Sequence, residues 1–259
     1  MTSLKQAGIG ILLLFLVCLL QAQTPDWIWA EPLGGSYTDE VSQIAADSAG
    51  NSYITGSYIG DITVGNLTLP NRSTNLTTHD VFVAKYDSEG NVLWASRAGG
   101  NNTEYGNGIA VDPFGNVYVI GVYNSSILYF GETDTLSLAR NGTSNDIFIA
   151  KLDSNGAWLW AKRAGYRNSD VGSGIAVDAN SNAYVCGTFT GGALFPPLTE
   201  GILGVGNLDV FVGKMNPDGD FIWVTKVCGT NSETAQRIAL DVGGNAYVCG
   251  AFASDSILF

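Results

Sequence analysis

Charge is scarce in this chain, and positive charge scarcest of all. Only 14% of the 259 residues are charged, and 12 Lys+Arg stand against 24 Asp+Glu for a formal charge of −12. So acidic a balance argues against a phosphate backbone as partner, which sets nucleic acid aside. Histidine occurs once, at His79 in a Thr/Asn-rich stretch. With no second His and no Cys beside it, a metal centre or a Ser-His-Asp triad has little to build on. Long hydrophobic runs are missing too. The longest apolar stretch, residues 9–20, falls short of the ~20 residues that cross a bilayer.

That stretch follows Lys5 and runs into Gln21-Ala22-Gln23, the form of a secretory signal peptide cleaved near Ala22 or Gln23. Residues 1–23 are therefore expected to be removed, leaving residues 24–259 with no membrane span. Cys18 is no lipidation site, because Val17 stands where a small residue is wanted. Cleavage takes away Lys5 and no acid, so 11 cations remain against 24 acids, a charge of −13. The expected address is secreted or cell-surface. What the chain has in plenty is apolar and turn-forming residues: 46% hydrophobic, 11% aromatic and 33 glycines. This is too apolar for disorder and fits an all-β fold with many turns.

Two blocks repeat in register. The first is Asp80-Val-Phe-Val-Ala-Lys-Tyr-Asp-Ser-Glu-Gly-Asn-Val-Leu-Trp94, echoed from Asp146 to Trp160 and from Asp209 to Trp223, with its end alone at Asp26 to Trp29. Trp29, Trp94, Trp160 and Trp223 lie 65, 66 and 63 residues apart. The second is Ile109-Ala-Val-Asp-Pro-Phe-Gly-Asn-Val-Tyr118, with copies at 44–53, 175–184 and 238–247. Each block reads as a hairpin: a β-prone run, an Asp that caps the turn, two residues, a left-handed Gly, and a returning run. Asp87 with Gly90 and Asp112 with Gly115 are the pattern within one repeat. Both faces of the flanking runs are apolar, as in Val81 to Ala84, which calls for burial between sheets. A variable stretch of about twenty residues separates the hairpins and reads as a further short strand pair or a decorated loop.

Two hairpins make four strands, the content of one propeller blade, and 65 residues suit a blade better than a coil of a β-solenoid. The expectation is a partial β-propeller of about three and a half blades. It opens on a last strand and stops inside another at Phe259, as a truncated ring would.

The repeat resembles the SBBP-type β-propeller repeat over residues 26–259. That resemblance implies a secreted or cell-surface bacterial protein, of the Bacteroidetes type often exported by type IX secretion. It implies no catalytic residues and no cofactor, since its motif is structural. Ser181 replaces a turn glycine, Asn216 a turn Asp, and Cys228 the glycine of Gly99 and Gly165.

The candidate sites read structurally. The Trp series is expected to pack blade on blade. The turn acids Asp47, Asp112, Asp178 and Asp241 each offer too few oxygens for calcium and cap hairpins instead. Asn216-Pro-Asp-Gly-Asp220 is the best exception. Lys85, Lys151 and Lys214 recur inside apolar strands, which suggests ion pairs with a neighbouring Asp. Export permits a disulfide of Cys228 with Cys186 or Cys249, while burial as small hydrophobes is the plainer reading of the last two. Function is expected to be non-enzymatic: adhesion, surface display or binding of an extracellular protein or glycan through the variable loops. Its rival is the propeller portion of an extracellular carbohydrate-active enzyme, a lyase or hydrolase.

Overall fold

The structure is a computed structural model, and it describes residues 28–259. The expected signal peptide, residues 1–23, lies outside the described residues. After Trp29 comes the short strand β1 (Leu33–Gly35). β2 (Asp39–Ala46) and β3 (Ser52–Tyr58) form a first hairpin, β4 (Ile62–Val64) and β5 (Leu67–Leu69) a short one, and β6 (Asp80–Tyr86) and β7 (Val92–Gly99) a third. The series recurs as β8 (Glu104–Val111), β9 (Val117–Tyr123), β10 (Ile127–Phe130), β11 (Leu136–Ala139), β12 (Asp146–Leu152) and β13 (Trp158–Ala164). It recurs again as β14 (Val171–Val177), β15 (Ala183–Phe189), β16 (Gly192–Ala193), β17 (Ile202–Leu203), β18 (Asp209–Met215) and β19 (Phe221–Gly229). β20 (Glu233–Leu240), β21 (Ala246–Phe252) and β22 (Ile257–Leu258) begin a fourth unit.

The two long hairpins of each unit join side by side into one antiparallel blade, in the order β2-β3-β6-β7, β8-β9-β12-β13 and β14-β15-β18-β19. The fourth contributes β20 and β21. No pairing joins it to the first among the described residues, so the ring is incomplete. First strands of neighbouring blades pack on one another, which sets β2, β8, β14 and β20 around the axis. The core lies between blades. Second strands β3, β9 and β15 are buried along their whole length, as the two-faced apolar runs require. One cluster joins Val81, Val83 and Tyr53 to Val117, Val119 and Phe148 of the next blade.

The variable stretch is a strand pair, and it has a fixed place. β4, β10 and β22 each pair with the last strand of the preceding blade: Leu33↔Val64, Phe130↔Ala98 and Ile257↔Gly229. Where β16 is too short, a single bridge of Gly165 to Leu194 does the same. The end of each blade's last strand is thus paired by its successor, which shortens an edge open to aggregation.

Candidate functional site

The repeated turns are closed by their own acids. Oδ1 of Asp112 accepts from the backbone N–H of Phe114 and Asn116 (both 2.9 Å), and Oδ2 accepts from the Asn116 side chain (2.8 Å). Asp47, Asp178 and Asp241 are bonded alike. Burial of Asp112 opposes ionisation, but the Asn116 and Ser181 bonds outweigh it and hold the carboxyl below the usual range. Asn216 does the same work with its amide oxygen, accepting from Asp218 (3.1 Å) and Asp220 (2.9 Å).

The turns between third and fourth strands are clasped by the blade before them. Gly90, Gly156 and Gly219 sit in the left-handed region, and a Cβ there would lie 2.7, 2.6 and 3.0 Å from the rings of Trp29, Trp94 and Trp160. The indole N–H of Trp94 donates to the Ser154 carbonyl (3.0 Å), and that of Trp160 to the Pro217 carbonyl (3.1 Å). The recurrent Trp is a latch between blades, set on a turn that only glycine lets it approach. Tyr118 adds a second latch: its hydroxyl donates to the Ser181 carbonyl of the next blade (3.1 Å). Ser181, in place of glycine at φ 62, donates through Oγ to Asp112 (2.9 Å).

Two expectations need correction. Lys85, Lys151 and Lys214 stand over the rings of Tyr53, Tyr118 and Tyr184 at 5.1, 4.8 and 4.7 Å, their partners directly across the ladder. Only Lys214 also reaches an acid among the described residues, Asp178 at 3.7 Å, because the turn acids spend their oxygens on their own turns. No disulfide forms: Cys186, Cys228 and Cys249 are all free. Cys186 lies opposite Val212 and, one strand further, Thr225. Two strand spacings, about 9.5 Å, plus three residues of offset separate it from Cys228, beyond the ~7 Å a disulfide tolerates. Cys186 is buried, as a small hydrophobe would be, but Cys249 is exposed on β21, which has β20 alone as neighbour.

Sequence reasoning missed a set of buried acids. Asp80, Asp146 and Asp209 open the third strands; Glu104 and Glu233 open the first strands of the blades that follow, and Asp170 immediately precedes its own. All six are buried. They meet in pairs at the blade junctions, where the Glu104 N–H donates to the His79 carbonyl, Asp170 to Asn145 and Glu233 to Leu208. Backbone N–H groups serve them: Gly100 and Ser125 donate to Glu104, Tyr166 and Thr190 to Asp170. Oδ1 of Asp80, Asp146 and Asp209 has no hydrogen-bond partner. Burial pushes Asp80 up to about 7, with Glu104 adding to it; Asp146 rises to about 6, and Asp170 to about 7 with Asp146 adding. The signal was available, since the partners are 24 residues apart in each of the three repeats. His79 packs against Tyr105, ring centroids 5.0 Å apart and tilted by 40°, beside the first pair, and burial lowers its pKa.

At the axis, each first strand carries a β-bulge in the same register, with Ser42, Asn107, Ser173 and Gln236 as the extra residues. Those four residues line one cavity of about 520 Å³ together with Glu40 and Arg237. A second cavity, about 700 Å³, opens at the other end of the first strands, where the turns carry Asp47, Phe114 and Asp178. No helix of the described residues is long and apolar enough to cross a membrane.

Comparison with known proteins agrees with this geometry. The profile of the family described as SBBP, a beta-propeller repeat, matches residues 28–62, 93–129 and 159–196. Each match runs from a Trp strand through the first hairpin of the next blade, so the recurring unit spans the junction. Those three segments are similar to SBBP-type β-propeller repeats. The chain is 26% identical over 210 residues to an uncharacterized WD repeat-containing protein of Acanthamoeba polyphaga mimivirus, covering 71% of this chain. It is 29% identical over 108 residues to Regulatory protein FlaEY of Caulobacter vibrioides, covering 42%. The matched regions are 15% and 11% of those relatives' lengths.

Proposed function

We propose that this protein is an exported, non-enzymatic propeller module that binds an extracellular protein or glycan in adhesion or surface display. One observation carries the reading. The residues that recur in every blade are already engaged in the scaffold: the Trp and the buried acid pairs at the junctions between blades, the turn acids in their own turns, and the Lys over the Tyr across the ladder. What varies between blades is left for recognition: the short hairpins at the rim and the polar bulges at the axis. Both are varied side chains on a rigid frame, where binding function is commonly placed. The signal-like residues 1–23 and the −13 mature charge support export of a soluble β-rich chain.

The test has two parts. Mass spectrometry of the protein from its native host should show an N-terminus near residue 24; an intact Met1 would remove export from the proposal. The mature chain, immobilised, should retain a subset of extracellular polysaccharides or proteins saturably and without turnover. Release of shortened saccharides in the same assay would replace the module with the carbohydrate-active enzyme.

A further inference from the structure

The axial cavity carries more than shape. A β-bulge re-aims one side chain and leaves backbone groups outside the ladder, and here four bulges do so in one register around one space. The extra residues are all polar, yet they differ in kind: Ser42, Asn107, Ser173, Gln236. A packing role would have repeated one residue, as it did for the Trp latch. Bonds between neighbouring blades tie the bulged strands together. Asn107 Nδ2 donates to the Gly172 carbonyl (2.8 Å), and the Ile109 N–H donates to Gln43 Oε1 (3.0 Å).

One register position breaks the pattern. Gly108 and Gly174 stand where the fourth blade has Arg237. Its Nη1 donates to the carbonyls of Ser173 (3.3 Å) and Gln236 (2.9 Å), and Nη2 to the carbonyl of Ser42 across the axis (3.4 Å). Three of the five guanidinium N–H groups are so engaged, which fixes the group in the cavity wall and leaves two for a ligand. A guanidinium edge of two donors matches a planar carboxylate. The hydroxyls and amides around it both donate and accept, as a polyol requires. No aromatic ring lines the cavity, so a flat apolar ligand has nothing to stack on, and Glu40 on the wall disfavours a second negative charge. The volume of about 520 Å³ lies within the range of small-molecule sites.

We infer that the axial cavity is a binding site for a singly charged, hydroxyl-rich carboxylate, a uronic acid residue, with Arg237 holding the carboxylate and the bulge residues the hydroxyls. The inference rests on the protein being a binding module and names the ligand class at its axis.

Calorimetric titration of the mature chain tests it, with methyl glucuronide and methyl galacturonide as probes and methyl glucoside as the neutral counterpart. Expected is saturable binding of at least one uronide, at least tenfold tighter than the glucoside. Arg237→Gln should weaken the uronide about tenfold, the loss of one charge-assisted contact. Glu40→Gln should tighten it. Phe114→Ala, at the other end of the strands, should leave it unchanged. Arg237 is exposed, so its replacement leaves the core intact. Equal affinity for uronide and glucoside, an Arg237→Gln protein that binds as well as the parent, or no saturable binding of either uronide would overturn the site. If the parent protein retains polysaccharide while uronides fail to bind it, the axial assignment falls and the binding module stands. An oligogalacturonide bound as tightly as the monomer would point to a glycan end; binding of the monomer alone would point to a free sugar acid.

Discussion

Ser181 occupies a backbone conformation that residues other than glycine resist, and its side chain makes one hydrogen bond there, to a buried carboxylate in the adjoining blade. Ser181→Ala keeps the strain and removes the bond, so urea denaturation should show a loss of about 1 kcal/mol. Ser181→Gly relieves the strain while losing the same bond and should fall within about 0.5 kcal/mol of the parent. The glycine turns allow a second dissection. Gly156 and Gly244 share the left-handed conformation, but a Cβ at Gly156 meets the Trp94 ring, whereas at Gly244 it meets nothing within 4 Å. Gly244→Ala should therefore cost about 1 kcal/mol from the backbone alone. Gly156→Ala should cost more than twice that, the excess measuring the latch. Equal losses at the two positions would show that the Trp contributes nothing to the junction. Trp94→Ala approaches the same contact from the other side and should cost about 3 kcal/mol.

At the scale of the element, the paired acids at the start of the strands decide the response to pH. Their folded pKa values, about 7 for Asp80 and Asp170 and about 6 for Asp146, lie above the ordinary carboxyl value near 4. The folded chain therefore holds protons that the unfolded chain gives up. Stability from this source is full below about pH 4 and is lost as pH rises through 6 to 7. The turn acids Asp47, Asp112 and Asp178 are shifted the other way, so their contribution is present above about pH 4 and fades in acid. Thermal melting should accordingly be highest near pH 5 and decline by at least about 5 °C towards pH 8. Asp170→Asn should flatten that decline; a melting point that rises from pH 5 to 8 would contradict the assignment. The strand pattern and the turns were legible because each is local: Asp112, Gly115 and Tyr118 announce a hairpin within seven residues. The acid pairs were not, although their spacing is constant. Asp80 and Glu104 belong to different blades, their residue types alternate between Asp and Glu, and acidic side chains read by default as solvent-facing. The bulges were hidden for a simpler reason, since one extra residue leaves no trace in an alternation of apolar and polar positions.

On the scale of the whole molecule, stability is distributed as a linear array. Each blade touches its neighbours through first strands, latches and a borrowed hairpin, and its core lies at the junction rather than within the blade. Amide exchange should match this layout: slowest in β3, β9, β12 and β15, buried along their length, and fastest in β21, exposed along its length. Uniform protection across the blades would show that the units do not behave as an array. The latch itself has a direction. In every instance the Trp belongs to the earlier blade and the turn it clasps to the later one, and the borrowed hairpin likewise reaches backward to cover an edge already formed. As the chain leaves the ribosome, each finished blade therefore presents a docking template to the segment behind it. The fold can thus be laid down vectorially, from the amino end, without waiting for its last residue.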